Sequence, residues 1–166
     1  MERFNQNPRR LPAWLSVLIL TAIILTAFFI NGKKAGGYSA IEIADTASGK
    51  VYGRQIINDT DEFAIEFIHS VNNSAVREIF RAADKKIQIT AVRFYAFGAG
   101  MQTELEEGLT MTRDGDAYII SGFNRTVSEL NYIVGTVSDH LLITDDAIIS
   151  LRDLCGKNAH VTLRIR

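Results

Sequence analysis

A histidine and a glutamate in one short segment are the residues whose spacing best suits chemistry. They lie in residues 63–80, FAIEFIHSVNNSAVREIF, where apolar residues alternate as they do in the two strands of a β-hairpin. If Asn73-Ser74 is a two-residue turn, His69 lies opposite Glu78 on an otherwise apolar face. An imidazole beside a carboxylate can act as a catalytic dyad, as half of a metal site or as a ligand contact.

The same pair has a plainer interpretation as a structural hydrogen bond. A buried imidazole that donates to a carboxylate would hold the hairpin in register, and two side chains fall short of the three or four ligands of a zinc site. Nothing in the sequence brings His140 or His160 near, because each lies in a strand of its own, so the structural interpretation is favoured. The register is supported by two further apolar pairs that the same turn sets opposite each other, Val71 with Val76 and Phe67 with Phe80.

A glycine-rich strand end and the serine beside His69 add candidate binding residues. Gly98-Ala99-Gly100 could present backbone amides to an anion, but it lacks the lysine of a phosphate loop. Ser70 follows His69 in a strand, so the two side chains point to opposite faces and do not suit a catalytic triad. The hairpin end beside the glycines predicts a small pocket. Its candidate ligand-binding or partner-binding residues are His69, Ser70, Glu78, Gly98 and Gly100.

Residues 11–30, LPAWLSVLILTAIILTAFFI, are twenty consecutive residues without a charge. As an α-helix they would span about 30 Å, which is the hydrocarbon thickness of a bilayer. A cleaved signal peptide has a shorter apolar core that ends in small residues, whereas this run ends in Phe28-Phe29-Ile30. We therefore predict an uncleaved transmembrane anchor.

The charges that flank this segment predict its orientation. Arg3, Arg9 and Arg10 precede it and only Lys33 and Lys34 closely follow it, which places the N-terminus in the cytoplasm. The predicted organisation is a cytoplasmic tail at 1–10, the transmembrane anchor at 11–30, a linker at 31–38 and an extracytoplasmic β domain at 39–166.

Charge and cysteine content narrow the function of the domain. The formal net charge of the chain is −1, and the first thirty residues carry +2, so the remainder carries −3. A slightly acidic domain does not suit nucleic acid, whose binding requires a basic face. The single cysteine, Cys155, cannot form an internal disulfide, so the domain depends on its hydrophobic core.

Short alternating segments separated by turn residues predict an all-β fold, either a sandwich or a partly open barrel. One short helix is predicted within residues 145–156, where apolar residues recur at helical intervals and Gly156 provides a stop. The predicted strands fall at 41–43, 51–57, 63–70, 76–80, 87–97, 109–113, 118–121, 131–137, 140–143 and 160–165.

Three of these segments together resemble a known family. Ile68-His69-Ser70-Val71, then Val76-Arg77-Glu78, then Phe97-Gly98-Ala99-Gly100 are similar to the signature of domain-of-unknown-function family eighteen-fifty. The resemblance covers the domain from about Ser39 onward. Members usually have a proline two residues after the GAG, where this chain has Gln102.

The resemblance implies a setting, since the family has no established activity. Its members are small bacterial proteins, often with one N-terminal hydrophobic segment, commonly encoded beside the permease of TAXI-type TRAP transporters, which take up small organic anions. The first hypothesis is a non-enzymatic accessory protein of such a transporter in the bacterial inner membrane, without a cofactor. Its partner would be the TRAP-type permease or the periplasmic solute-binding protein. The alternative is an extracytoplasmic module that binds a small anion or a metal around His69 and Glu78.

Overall fold

The alternating apolar segments of the chain fold as antiparallel β-strands. The computed structural model describes residues 37–71, 73–97 and 105–166, and Gly37–Arg166 forms one compact unit. The elements of the described residues are β1 (Tyr38–Asp45), β2 (Val51–Asn58), β3 (Glu62–His69), β4 (Ser74–Ala83), β5 (Lys86–Phe94), β6 (Thr110–Asp114), β7 (Ala117–Ser121), β8 (Thr126–Val127), β9 (Leu130–Ile133), β10 (His140–Ile143), β11 (Ile148–Ser150), α1 (Leu151–Cys155) and β12 (His160–Ile165).

These strands form two antiparallel sheets within the described residues. The first sheet has the order β2-β1-β12-β9, and the second has the order β11-β10-β3-β4-β5-β7-β6, with β8 paired to β5. The predicted all-β class with one short helix is confirmed. Two short strands, β8 and β11, were not predicted, because two or three residues are too few to show an alternating pattern.

The hydrophobic core takes its side chains from both sheets. Ile41, Ile43 and Leu163 of the first sheet belong to the same buried cluster as Phe63 and Ile65 of the second sheet. A smaller buried cluster of Val76, Phe94 and Ile120 lies farther along the second sheet. Burial of apolar area at about 25 cal/mol per Å² makes these clusters the main favourable contribution to stability.

The predicted hairpin is confirmed, but its predicted register is wrong. His69 pairs with Ser74, Phe67 with Val76, and Glu78 with Ile65. The pairing is shifted by four residues along one strand from the prediction. Because the shift is even, each side chain keeps its predicted face, but His69 and Glu78 are not cross-strand neighbours.

The length of the connection explains this register. Residues 70–73 form a four-residue loop in place of the expected two-residue turn at Asn73-Ser74. The Asn73 amide donates a hydrogen bond to the His69 carbonyl oxygen at 2.9 Å. Asn73 has φ 48°, a left-handed conformation that asparagine tolerates better than most residues. The loop can therefore close while pairing His69 with Ser74.

The short helix is confirmed near the C-terminus and is shorter than predicted. Helix α1 has Ser150 as its N-cap, and the Ser150 hydroxyl accepts a hydrogen bond from the Asp153 amide. Gly156, with φ 96°, follows Cys155 and ends the helix, as expected. Residues 148–150 of the predicted segment instead form β11.

The outer face of the first sheet carries a buried carboxylate between two guanidinium groups. Glu42 is 5 % exposed and accepts hydrogen bonds from Arg54, at 2.7 and 3.0 Å, and from Arg166, at 2.9 and 3.0 Å. These hydrogen bonds hold the pKa of Glu42 below its usual value. The carboxylate therefore links β1, β2 and the residue that follows β12.

The predicted transmembrane segment, residues 11–30, lies outside the described residues. Among the residues that are described, no helix has both the length and the apolarity required to cross a bilayer.

Candidate functional site

The main candidate site is a pocket at the end of the β3–β4 hairpin. Its volume is about 530 Å³, and it lies between this hairpin end and the loop 134–139 that connects β9 to β10. A pocket at this hairpin end was predicted, with His69 and Ser70 among its residues. The lining residues are Phe67, Ile68, His69, Ser70, Asn73, Gly135, Thr136, Val137, Ser138 and His140.

His140 reaches the pocket because β10 pairs with β3. His140 lies opposite Phe67, and the two rings stack with centroids 5.1 Å apart. The Gly135 amide donates a hydrogen bond to Nδ1 of His140 at 3.3 Å. Burial lowers the pKa of His140, so the neutral imidazole is favoured. Since Nδ1 is the acceptor, the proton of the neutral ring lies on Nε2.

The second wall of the pocket is a tight loop that requires a glycine. A Cβ atom at Gly135 would overlap the carbonyl oxygen of Ser138. The Ser138 hydroxyl accepts a hydrogen bond from the Ile68 amide at 3.1 Å, and the Val137 carbonyl accepts one from Arg152 at 3.1 Å. The loop is thus held to both β3 and α1.

Asp139 anchors the same loop to the start of the helix. Its carboxylate accepts hydrogen bonds from the His140 amide at 2.7 Å, the Ser150 hydroxyl at 2.5 Å and the Arg152 amide at 3.0 Å. The Arg152 amide lies in the first turn of α1, where backbone amides lack an intrahelical partner. Asp139 therefore positions the loop without lining the pocket.

His69 has a buried ring nitrogen without a partner among the described residues. Its Nδ1 atom is inaccessible to solvent and makes no hydrogen bond, and the same holds for the hydroxyl oxygen of Ser74. The register pairs these two residues directly. The two atoms without a hydrogen bond therefore belong to side chains that lie directly opposite each other on neighbouring strands.

Exposed apolar side chains surround the pocket. Val137 is 93 % exposed and Ile68 is 45 % exposed, and both belong to the pocket lining. Val71, 62 % exposed, lies in the hairpin loop between two lining residues, Ser70 and Asn73. Single exposed apolar residues are ordinary, but a group around a pocket is typical of an interaction surface.

Glu78 does not belong to this pocket. It lies on the core-facing side of the second sheet, between Ile65 and Val92 of the neighbouring strands. The Tyr132 hydroxyl, from the first sheet, donates a hydrogen bond to Glu78 at 2.6 Å. Burial raises the pKa of Glu78, and the hydrogen bond from Tyr132 lowers it by less. Glu78 and Tyr132 therefore form a polar link between the two sheets.

Tyr132 keeps its proton in this link. Burial raises the pKa of Tyr132 above its usual value, and the neighbouring charge of Glu78 raises it further. The ring of Tyr132 also lies 5.7 Å from that of His140, centroid to centroid. Tyr132 thus connects Glu78, between the sheets, with His140 in the pocket lining.

The predicted glycines, Gly98 and Gly100, lie outside the described residues. The strand that leads to them can be placed, because Phe94 at the end of β5 pairs with Val76 near the start of β4. Strand β5 therefore ends at the same sheet end as the His69 hairpin. The binding role of the two glycines stays a prediction.

Charge at the pocket is low. Among the lining residues that the structure describes, none is a lysine, arginine, aspartate or glutamate. Over the described part of the chain, no group of three histidine, cysteine, aspartate or glutamate side chains could hold a metal ion. The arrangement suits binding through imidazole, hydroxyl and apolar contacts.

Two residues at or near the candidate site, His140 and Tyr132, were not predicted from the sequence. His140 comes to the pocket through a pairing with Phe67, and Tyr132 meets Glu78 across 54 residues of chain. Neither partner lies in a motif shared with the hairpin. His140 could have been predicted only from the pairing of β10 with β3. The alternation of apolar residues in a single sequence predicts strands but not which strands pair.

The chain was compared with known proteins. Residues 63–151 match a protein family described as a domain of unknown function, DUF1850. The match covers more than half of the chain. This chain belongs to the DUF1850 family.

The matched region contains the candidate site. It runs from β3 to the first residue of α1, and so includes His69, Glu78, Tyr132 and His140. The three strands β1, β2 and β12, which form most of the first sheet, lie outside the DUF1850 match. Comparisons with curated proteins and with solved structures gave no match.

Proposed function

We propose that this protein is a non-enzymatic accessory subunit of a TAXI-type TRAP transporter, anchored in the bacterial inner membrane by residues 11–30. Its partner is the permease or the periplasmic solute-binding protein, which it contacts with its extracytoplasmic β domain. Membership of the DUF1850 family supports the proposal, because the family resemblance implies this transporter setting.

The observation that carries the proposal is the apolar rim of the pocket, formed by Ile68, Val71 and Val137. These three side chains are exposed around a concavity that the family motif helps to build. Covering them with a partner would remove apolar area from water and provide a favourable free energy of association. Concave sites with apolar anchors are where interfaces concentrate their binding energy.

The direction of the strands places this rim away from the point where the chain enters the domain. Strands β1 and β9 both pair antiparallel with β12, so they run in the same direction. Strand β1 starts at Tyr38, whereas the loop that carries Val137 follows the end of β9. The rim is therefore at the sheet end opposite Tyr38.

Copurification from membranes would test the proposal. The full chain and the neighbouring permease and solute-binding protein would be expressed together, with a tag on the permease. We expect the chain to copurify, and a Val71→Asp/Val137→Asp double variant to lose at least about tenfold in recovery, because two charges would be buried at the interface.

The control is a double variant at the other end of the domain, Ile56→Asp/Ile148→Asp. Ile56 is 56 % exposed and Ile148 is 71 % exposed, so the substitutions are similar in exposure and chemistry. We expect normal recovery of this control. Failure of the wild-type chain to copurify with either transporter component would contradict the proposed function, and equal losses in both double variants would contradict the assignment of the rim.

A second candidate function is the binding of a small ligand in the same pocket. It is favoured by the two imidazoles in the lining, those of His69 and His140. Glu78 takes no part in this candidate, because it faces the core between the sheets.

A further inference from the structure

The pocket contains two histidines, and the backbone fixes the orientation of one of them, His140. Nδ1 of His140 accepts the Gly135 amide hydrogen, which leaves a proton on Nε2 of the neutral ring. The ring stacks on Phe67, which restricts its rotation. His140 therefore presents an N–H donor from a fixed ring.

His69 can be oriented in the same way by Ser74. The unsatisfied hydroxyl of Ser74 is the group opposite the unsatisfied Nδ1 of His69. A hydrogen bond from the Ser74 hydroxyl to Nδ1 would satisfy both buried atoms. This bond selects the tautomer of His69 with its proton on Nε2. With Nδ1 bonded to Ser74, Nε2 would be the ring nitrogen of His69 that remains for a ligand.

The register places the two imidazoles close enough to share one ligand. His140 pairs with Phe67, and His69 is two residues farther along the same strand, on the same face. Such diagonal neighbours have Cα atoms about 7–8 Å apart. A group with two oxygen atoms can bridge that distance, with one N–H···O bond of about 2.8 Å to each ring.

The rest of the lining restricts the body of the ligand. Phe67, Ile68 and Val137 provide apolar contacts, and the described lining residues include no acidic side chain to bind a cation. They also include no lysine or arginine to balance a multiply charged anion. A volume of about 530 Å³ is within the range of small-molecule sites.

We propose that this pocket binds a small monocarboxylate with an apolar body, whose two oxygens accept hydrogen bonds from Nε2–H of His69 and Nε2–H of His140. Ser74 is a positioning residue that sets the tautomer of His69. The inference rests on the second candidate function, ligand binding, and does not depend on the association with a transporter.

Imidazole NMR of the full chain in detergent micelles would test the inference. The chain has three histidines, so His160, which is exposed on β12, is an internal control for His69 and His140. We expect the free protein to show Nε2–H tautomers for His69 and His140. Titration with 4-methylpentanoate should then shift both signals to saturation and leave His160 unchanged.

Two probes of the same shape test the chemistry. We expect 4-methylpentanamide, which keeps one acceptor oxygen, to bind about tenfold more weakly than the carboxylate, because it lacks one charge-assisted hydrogen bond. The cation 3-methylbutylammonium should produce no saturable shift. Binding of the amide or the ammonium as tightly as the carboxylate would overturn the proposed ligand class.

A serine substitution tests the positioning role. Ser74→Ala should convert His69 to a mixture of tautomers and weaken binding of 4-methylpentanoate about tenfold, while Ser39→Ala, in β1, should change neither. An Nδ1–H tautomer at His69 in the wild-type chain, or no saturable shift with the carboxylate, would overturn the inference. Either result would leave the copurification test of the transporter association unaffected.

Discussion

At the scale of single residues, Glu78 shows how a carboxyl group can be accommodated between two sheets. It is surrounded on its own sheet by Ile65 and Val92, and it accepts a hydrogen bond from Tyr132. Burial favours the protonated form of a carboxyl group, and here it raises the pKa of Glu78. The protein therefore loses stability when this group ionises in the folded state.

The first prediction concerns the pH dependence of that loss. Because the pKa of Glu78 is raised on folding, its favourable contribution is complete below the ordinary glutamate pKa and declines as pH rises through the folded value. We expect Glu78→Gln, which keeps an acceptor for Tyr132, to match the wild-type stability at about pH 4 and to exceed it by about 1 kcal/mol at about pH 7. Urea unfolding of the full chain at several pH values measures this difference.

A control of opposite sign is available on the outer face of the first sheet. Hydrogen bonds from Arg54 and Arg166 lower the pKa of Glu42, so its contribution is present above the ordinary glutamate pKa and is lost as pH falls through the folded value. Glu42→Gln should therefore destabilise the protein at about pH 7, and the difference from wild type should shrink in acid. Parallel pH profiles for Glu78→Gln and Glu42→Gln would contradict this account.

At the scale of elements, most strands could be predicted and their pairing could not. The alternation of apolar residues located β10 at 140–143 and β12 at 160–165 without error. The register of the β3–β4 hairpin was wrong because Phe67 is apolar and matches either Phe80 or Val76. The conformation of Asn73 in the observed register, with its amide bonded to the His69 carbonyl oxygen, is not indicated by the pattern of apolar residues.

The second prediction tests that conformation. Asn73→Gly should leave the stability nearly unchanged, since glycine adopts positive φ without strain. Asn73→Val should lower the free energy of unfolding by about 1–2 kcal/mol, because a β-branched residue is strained at φ 48°. Chemical denaturation of both variants checks the prediction, and equal stability of the valine variant would argue against the positive φ of Asn73.

The third prediction concerns the loop that forms the other wall of the pocket. Gly135→Ala would force the Ser138 carbonyl to move, so we expect a loss of about 1–3 kcal/mol and altered imidazole signals for His140. Gly53→Ala is the matched control, because its added methyl group would meet only Leu154, at 3.6 Å. A Gly135→Ala variant with wild-type stability and unchanged His140 signals would contradict this account of the loop.

At the scale of the whole molecule, the candidate site depends on pairings that are distant in sequence. Residues 63–80 predicted His69 and Ser70 at a pocket, and both line it. His140 joins them only through the β3–β10 pairing, and the Ser138 hydroxyl meets the Ile68 amide across 70 residues. Local patterns therefore predicted one wall of the pocket, while the other required knowledge of the order of strands in the sheet.

The fourth prediction concerns the N-terminal segment. The uncharged residues 11–30 should retain the chain in the membrane fraction of cells, resistant to extraction by carbonate or high salt. Replacing Leu18 and Ile23 with arginine should release the chain, because charges near the middle of a membrane helix are costly. N-terminal sequencing that begins near Ala40, or intact wild-type chain in the soluble fraction, would contradict the anchor.

The central position of β12 has a consequence for biosynthesis. This strand is the last along the described chain, yet it lies between β1 and β9, and Arg166 binds Glu42 across 124 residues. During translation the β1–β2 hairpin must therefore wait with an unpaired edge until the final strand emerges. Such an edge can pair with other chains. We expect the nascent protein to need protection by a chaperone until β12 has been synthesised.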